Sequence, residues 1–285
     1  MRVTFDTNSL DRACRPERFP KDPNLALYQK VNAAIEAGQI QGFYSVTLLT
    51  IEAIQRKDRA PVFGDTRMVR GTETISTTPH EDLPAEMKTM VVASGGVETV
   101  SVSYKVTQPK RGAMPEEFYK RIAAGKALGF RVLRAVPRLG GFLFIDPTCE
   151  YYLPNDDKGQ LAQWQDTACK VVRELEARDV GQAQVKALGE KVARQVNPNL
   201  TWFDALEKAQ IDQDKTAVPK AFSEWADGDS IASHIAYGDI DVFCTADKGN
   251  SNAGASVLDP VNRQWLTSTY GVKFMTIEEI ANGLP

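Results

Sequence analysis

No stretch of this sequence approaches the roughly 20 consecutive apolar residues that a membrane span requires. Met1 leads into a short β-branched run rather than into a basic segment followed by an apolar signal core. The expectation is a cytoplasmic protein with no membrane partner. Cysteine and histidine are scarce too. The four cysteines (Cys14, Cys149, Cys169, Cys244) include no C-x-x-C pair and the two histidines are His80 and His234, which argues against a zinc site or a disulfide framework and predicts reduced, structural thiols. No G-x-G-x-x-G follows the first predicted strand, so a dinucleotide-binding reading has no support. A net charge of −3 excludes a uniformly basic protein that coats nucleic acid.

What is present is enough for one large core, or one core plus a satellite: 285 residues, of which 42% are hydrophobic. Charge is segregated along the chain. Between Lys105 and Arg138 nine basic residues face two acidic ones, Glu116 and Glu117. Within that stretch Lys110, Arg111, Lys120, Arg121, Lys126, Arg131 and Arg134 are candidates for contacting a polyanion, against the plain alternative of a solvated helix and strand surface.

Residues 2–5 alternate as a first strand that ends at Asp6-Thr7-Asn8, followed by a Pro- and charge-rich loop over 9–24. Leu27, Val31, Ala34 and Ile35 recur at helical spacing before Gly38, and 42–46 reads as a second strand. A helix then runs through Leu48, Ile51, Ala53 and Ile54 to about Lys57, carrying Glu52. The β-α rhythm breaks over 60–200, where β-rich windows at 66–78, 97–107 and 130–145, a helix near 115–127 and helices at 160–179 and 181–196 suggest an inserted α+β subdomain, with a further helical stretch over 201–215. The rhythm returns with helices at 221–226 and 229–237 separated by Gly228, a strand at 241–245, a last strand at 272–275 and a short helix at 277–282. The fold class expected is α/β, a three-layer α/β/α sandwich on a mostly parallel sheet formed by 1–59 and 201–285.

In an open parallel sheet the carboxyl ends of the strands line the ligand crevice, so Asp6 and Asp247, each following a short strand, share one rim. Right-handed crossovers bring Glu52 and Asp229 to the same edge. Several carboxylates in one place repel each other unless a cation neutralises them, and an all-oxygen set suits Mg²⁺ or Mn²⁺. Asn8 and Thr245 are candidates for orienting the acids from behind, and Asp227 is the nearest competitor of Asp229. Each has an ordinary use as well: Asp-Thr-Asn makes good turns and Asp caps helices. His234, among Ile231, Ala232, Ile235 and Ala236, reads as a packed residue rather than a base.

The order Asp6-Thr7-Asn8, then Ser45 to Glu52 (Ser-Val-Thr-Leu-Leu-Thr-Ile-Glu), then Asp229 to Ala236 (Asp-Ser-Ile-Ala-Ser-His-Ile-Ala), then Thr245-Ala246-Asp247 resembles the PIN domain over about 1–58 and 220–285. The resemblance implies an α/β/α nuclease in which Asp6, Glu52, Asp229 and Asp247 bind Mg²⁺ or Mn²⁺ and hydrolyse RNA phosphodiester bonds, with a protein inhibitor or a second copy of the chain as further partners. Its alternative is a PIN-fold module that binds RNA or protein without turnover. An aspartate-nucleophile phosphatase wants a second Asp where Asn8 stands.

Overall fold

A computed structural model describes residues 1–55, 116–136, 158–202, 217–247 and 256–285, with shorter pieces between 59 and 106 and at 205–206. The strands are β1 (Arg2–Phe5), β2 (Gln41–Ser45), β3 (Met68–Val69), β4 (Thr74–Ile75), β5 (Val100–Ser101), β6 (Lys105–Val106), β7 (Arg131–Leu133), β8 (Val242–Cys244) and β9 (Phe274–Met275). The helices are α1 (Thr7–Cys14), α2 (Leu25–Glu36), α3 (Glu116–Ala127), α4 (Lys158–Glu176), α5 (Gln182–Val196), α6 (Ala217–Tyr237), α7 (Pro260–Tyr270) and α8 (Ile277–Gly283). Among the described residues no helix is long and apolar enough to cross a membrane.

Five strands form one all-parallel sheet in the order β7-β2-β1-β8-β9. Because side chains alternate across a strand, Val3 and Phe5 of β1 join Val31, Ile35, Leu10, Ile280 and Val132 in one cluster under α1, α2 and α8. Phe243 of β8 points the other way, into a second cluster with Trp164, Val171, Leu175, Ile231 and Leu266 from α4, α6 and α7. The protein is therefore α/β with helices against both faces of a parallel sheet. A second compact unit, Asp65–Lys110, holds two antiparallel pairs, β3 with β6 and β4 with β5. The 60–200 span divides accordingly: the chain from Arg111 onward clusters with the main body, and β7 extends its sheet beside β2. Residues 137–145 of the third β-rich window, and most of 201–215, lie outside the described residues.

Three local expectations are corrected. Residues 7–14 are helical rather than loop, because the Asp6 side chain caps the first turn and Leu10, Ala13 and Cys14 bury at helical spacing, a pattern masked in sequence by Asp11, Arg12 and Arg15. Glu52 follows a single tight turn, Val46–Leu49, capped by Ser45 and closed at Thr50; it does not ride on a helix. The β-branched Val46, Thr47, Thr50 and Ile51 disfavour a longer one. Gly228 does not break a helix either. α6 runs through it as one element, and a Cβ there would lie 3.2 Å from the Gly181 Cα, so glycine serves a close approach.

α6 is tied to β1 by a buried contact, Thr4 Oγ1 to His234 Nδ1 at 2.9 Å, with the imidazole edge-on to Phe243. Burial pushes the His234 pKa down to about 4. Unfolded chains bind that proton near pH 6.5 and the native state refuses it until about 4, so stability rises with pH between these limits. Urea melts from pH 4 to 6.5 on wild type and His234→Gln should differ in slope by about 1.4 kcal/mol per pH unit, about 3 kcal/mol over the window.

Candidate functional site

From β1 the chain moves outward through β2 to β7, then returns to the other side of β1 for β8 and β9, so strand order reverses between β1 and β8. The carboxyl ends there form a crevice by construction, because the crossovers leave in opposite directions. Asp6 directly follows β1. Its backbone N–H donates to Cys244 O of β8 at 2.9 Å, which fixes the residue at the switch point.

Asp6 Oδ1 accepts from the Thr7 N–H at 2.7 Å, capping α1. Its Oδ2 accepts from Asn8 Nδ2 at 2.9 Å and from Thr245 Oγ1 at 2.8 Å. Thr245 Oγ1 in turn accepts from the Asp247 N–H at 3.1 Å, and Asn8 Oδ1 accepts from the Ala246 N–H at 3.0 Å. Asn8 and Thr245 thus clip the chain after β8 to the end of β1. On the other flank, Glu52 accepts from Thr7 Oγ1 at 2.6 Å and from Thr47 Oγ1 at 3.2 Å, while Thr47 Oγ1 lies 3.0 Å from Ser230 Oγ on α6. Asp6, Thr7, Glu52 and Ser230 line one narrow recess with Thr4, Tyr44 and Ser45.

The charges are unbalanced. Burial, then the charge of Glu52, push the Asp6 pKa up to about 6, with Asp247 adding to the rise and the bonds from Thr245 and Thr7 opposing it. Asp227 on α6 is pushed well above the usual carboxylate range, by burial first and then by the charges of Asp6, Glu224, Glu52 and Asp247. Glu224 is raised by burial while accepting from the Val257 N–H at 2.9 Å. A cation stands at the rim: Arg263 donates through Nη2 to the Asp247 carbonyl and through Nε to Leu258 O at 2.8 Å, with its guanidinium over Phe274, 5.0 Å from the ring centroid. Among the described residues, no group of three or more His, Cys, Asp or Glu side chains has the geometry of a bound metal ion.

Of the four acids expected from sequence, Asp6, Glu52 and Asp247 belong to this electrostatic group. Asp227 on α6 joins them. Ser230 and His234 extend its stripe toward Thr47 and Thr4, whereas Asp229, buried two positions on, lies about 200° around the helix from Asp227. Thr7, Thr47, Ser230 and Arg263 were not anticipated. Reading α6 as one helix and counting back from His234 in steps of three and four would have selected Asp227.

The basic segment is partly spent on ion pairs within the chain. Arg121 pairs with the buried Asp11 at 2.9 Å and Lys120 with Glu116 at 2.9 Å. Lys126 is exposed, Arg131 and Arg134 are half-buried, and Lys110 and Arg111 lie outside the described residues.

Comparison with known proteins finds no family model, no curated relative and no solved structure that matches the chain, so the site is read from its own geometry.

The raised Asp6 pKa has a stability consequence. Keeping this carboxyl ionised costs the fold above pH 6 and costs nothing below about 3.8, so stability is lost as pH rises through that window. Asp6→Asn, which retains helix-capping ability, should stabilise the metal-free protein by about 3 kcal/mol at pH 7 and by nothing at pH 3.5, measured by urea melts in EDTA.

Proposed function

We propose that the protein is a nuclease that uses Mg²⁺ or Mn²⁺ to hydrolyse RNA phosphodiester bonds at Asp6, Glu52, Asp227 and Asp247, with a PIN-like arrangement of the sheet and site. The observation that carries this reading is the mutual electrostatic strain of Asp6 and Asp227 at the β1–β8 switch point, where burial and neighbouring acids raise both carboxyl groups. Arg263 is the one base set against Asp6 and Asp247 among the described residues, and the repulsion among the acids still raises Asp6 and Asp227, which suits a hard divalent cation supplied from outside.

The donor set fits such an ion: carboxylates and hydroxyls, all oxygen. Asp6, Asp227 and Glu52 would hold it from three elements, with Asp247 at the open side. A bound divalent ion supplies neutralisation of the phosphate and polarisation of the attacking water. The chain's own contribution is to fix the acids. Thr245 and Asn8 hold one Asp6 oxygen, the Thr7 N–H holds the other, and Thr7 and Thr47 hold Glu52. Arg263, anchored on two backbone carbonyls, meets a phosphate approaching along the rim.

A module that binds without turnover is the second reading, favoured by the lack of a ready-formed ligand group among the described residues. One experiment separates the two. In Mn²⁺, wild type should cleave single-stranded RNA, and Asp6→Asn and Asp227→Asn should each lose at least about 100-fold, since even residues behind metal ligands are worth 10- to 100-fold. Asp229→Asn should retain most activity. Stoichiometric Mn²⁺ binding by calorimetry without cleavage supports the module; neither binding nor cleavage sinks both readings.

A further inference from the structure

Arg263 is held from behind by a run of hydrogen bonds that ends on another helix. Its Nε–H donates to Leu258 O at 2.8 Å. The peptide group that carries this carbonyl also carries the Asp259 N–H, which donates to Ser256 O at 3.2 Å. The peptide group of Ser256 O carries in turn the Val257 N–H, which donates to Glu224 Oε2 on α6 at 2.9 Å. A peptide group is planar, so the direction of its C=O fixes that of its N–H. Two amide planes therefore connect the guanidinium of Arg263 to the carboxylate of Glu224, with every donor pointing toward the anion.

A run with a cation at one end and an anion at the other polarises each bond in the same sense, and a low local dielectric strengthens it. Glu224, Ser256, Val257 and Leu258 are all buried. The turn also has bonds of its own. The Ser256 N–H donates to Asp259 Oδ2 at 3.3 Å, the Leu258 N–H to Ser256 Oγ at 3.3 Å, and Asn262 Nδ2 to Ser256 O at 2.8 Å. These close the turn on itself and on the start of α7. Glu224 relates it to α6, three positions from Asp227 and so on the same side of that helix. A plain reading gives Glu224 only the task of satisfying one buried N–H, a task that any acceptor performs and that leaves Arg263 out of account.

The other end of the run lies at the crevice. Arg263 Nη2 donates to the Asp247 carbonyl, and among the described residues Nη1 has no partner. A guanidinium held through two of its nitrogens presents the third as an oriented donor to a phosphate oxygen, at little further cost in side-chain freedom. We propose that Glu224 is a positioning residue, which holds Arg263 through the 256–259 turn so that its free edge meets the phosphate of a bound RNA strand. The phosphate contact rests on the nuclease reading; the hold of Glu224 on Arg263 does not.

Two measurements on the full chain follow Arg263 apart from any cleavage: its Nε–H resonance in NMR, assigned by its loss in Arg263→Gln, and the affinity for a single-stranded RNA in Ca²⁺ as salt is varied. Arg263→Gln should weaken binding about 10-fold, the worth of one hydrogen bond to a charged group, and lower the slope of log affinity against log salt by about 0.7, that of one phosphate contact. Glu224→Met, which fills the space without an oxygen, should reproduce both effects, shift the Arg263 Nε–H resonance, and add nothing further in the Arg263→Gln background. Glu224→Gln keeps a carbonyl for the Val257 N–H and should stay within about 3-fold of wild type, since a neutral acceptor is roughly half as strong as a charged one. A Glu224→Met chain that is less stable to urea but keeps the salt slope and the resonance overturns the positioning role. So does a Glu224→Gln chain that loses as much as Arg263→Gln, a result readable even if Glu224→Met fails to fold. Binding with these dependences and no cleavage in Mn²⁺ keeps the positioning role and removes the nuclease reading; cleavage to which Arg263→Gln makes no difference does the reverse, and a wild type that binds no RNA removes both.

Discussion

Asp6 is asked to satisfy two demands that oppose each other. As the cap of α1 it must present an oxygen to the first turn, and as the residue at the end of β1 it must gather Asn8 and Thr245. Both duties favour a charged, hydrogen-bonded carboxylate. Its surroundings do not, because Glu52, Asp227 and Asp247 bring further negative charge to a partly buried spot. The fold tolerates this conflict because the hydrogen bonds come from a backbone N–H, a hydroxyl and an amide held at the ends of β1 and β8. The energetic cost is local, and the binding potential of the site is the other side of that cost.

Much of the frame was legible from residue patterns. The alternation of Arg2–Phe5, the spacing of Leu27, Val31, Ala34 and Ile35, and the short apolar run before Thr245 each follow from how strands and helices bury one face, and the structure has β1, α2 and β8 there. α1 was hidden, since its buried apolar residues are Leu10, Ala13 and Cys14 alone, and the charges beside them serve a salt-bridge network in which Asp11 pairs with Arg15 and Arg121. That network also explains why a basic run in sequence is a poorer guide to a polyanion surface than its count suggests. Some of its charges are committed to partners far away along the chain, and no local pattern records them.

The weight that the sequence gives Asp229 over Asp227 has a physical origin. Glycine inside a helix is costly, so Gly228 reads as an interruption and Asp229 as a fresh cap. The reason for the glycine lies 47 positions upstream at Gly181, whose Cα occupies the space a side chain would need. Long-range sterics of that kind leave no trace in a single sequence. Once α6 is continuous, helical spacing puts Asp227 on the face from which Ser230 and His234 reach Thr47 and Thr4.

The contact between Gly228 and Gly181 also sets a depth gauge. Gly228 lies between Asp227 and Asp229, and its partner caps α5, a helix whose own Gly189 abuts the Trp202 backbone. Two bare backbones therefore define how closely the outer helical layer seats, and the neighbouring carboxylate inherits its reach toward β1 from that seating. A shim of one methyl group, inserted far from any substrate, would retune the spacing of the charges in the crevice without touching one of them.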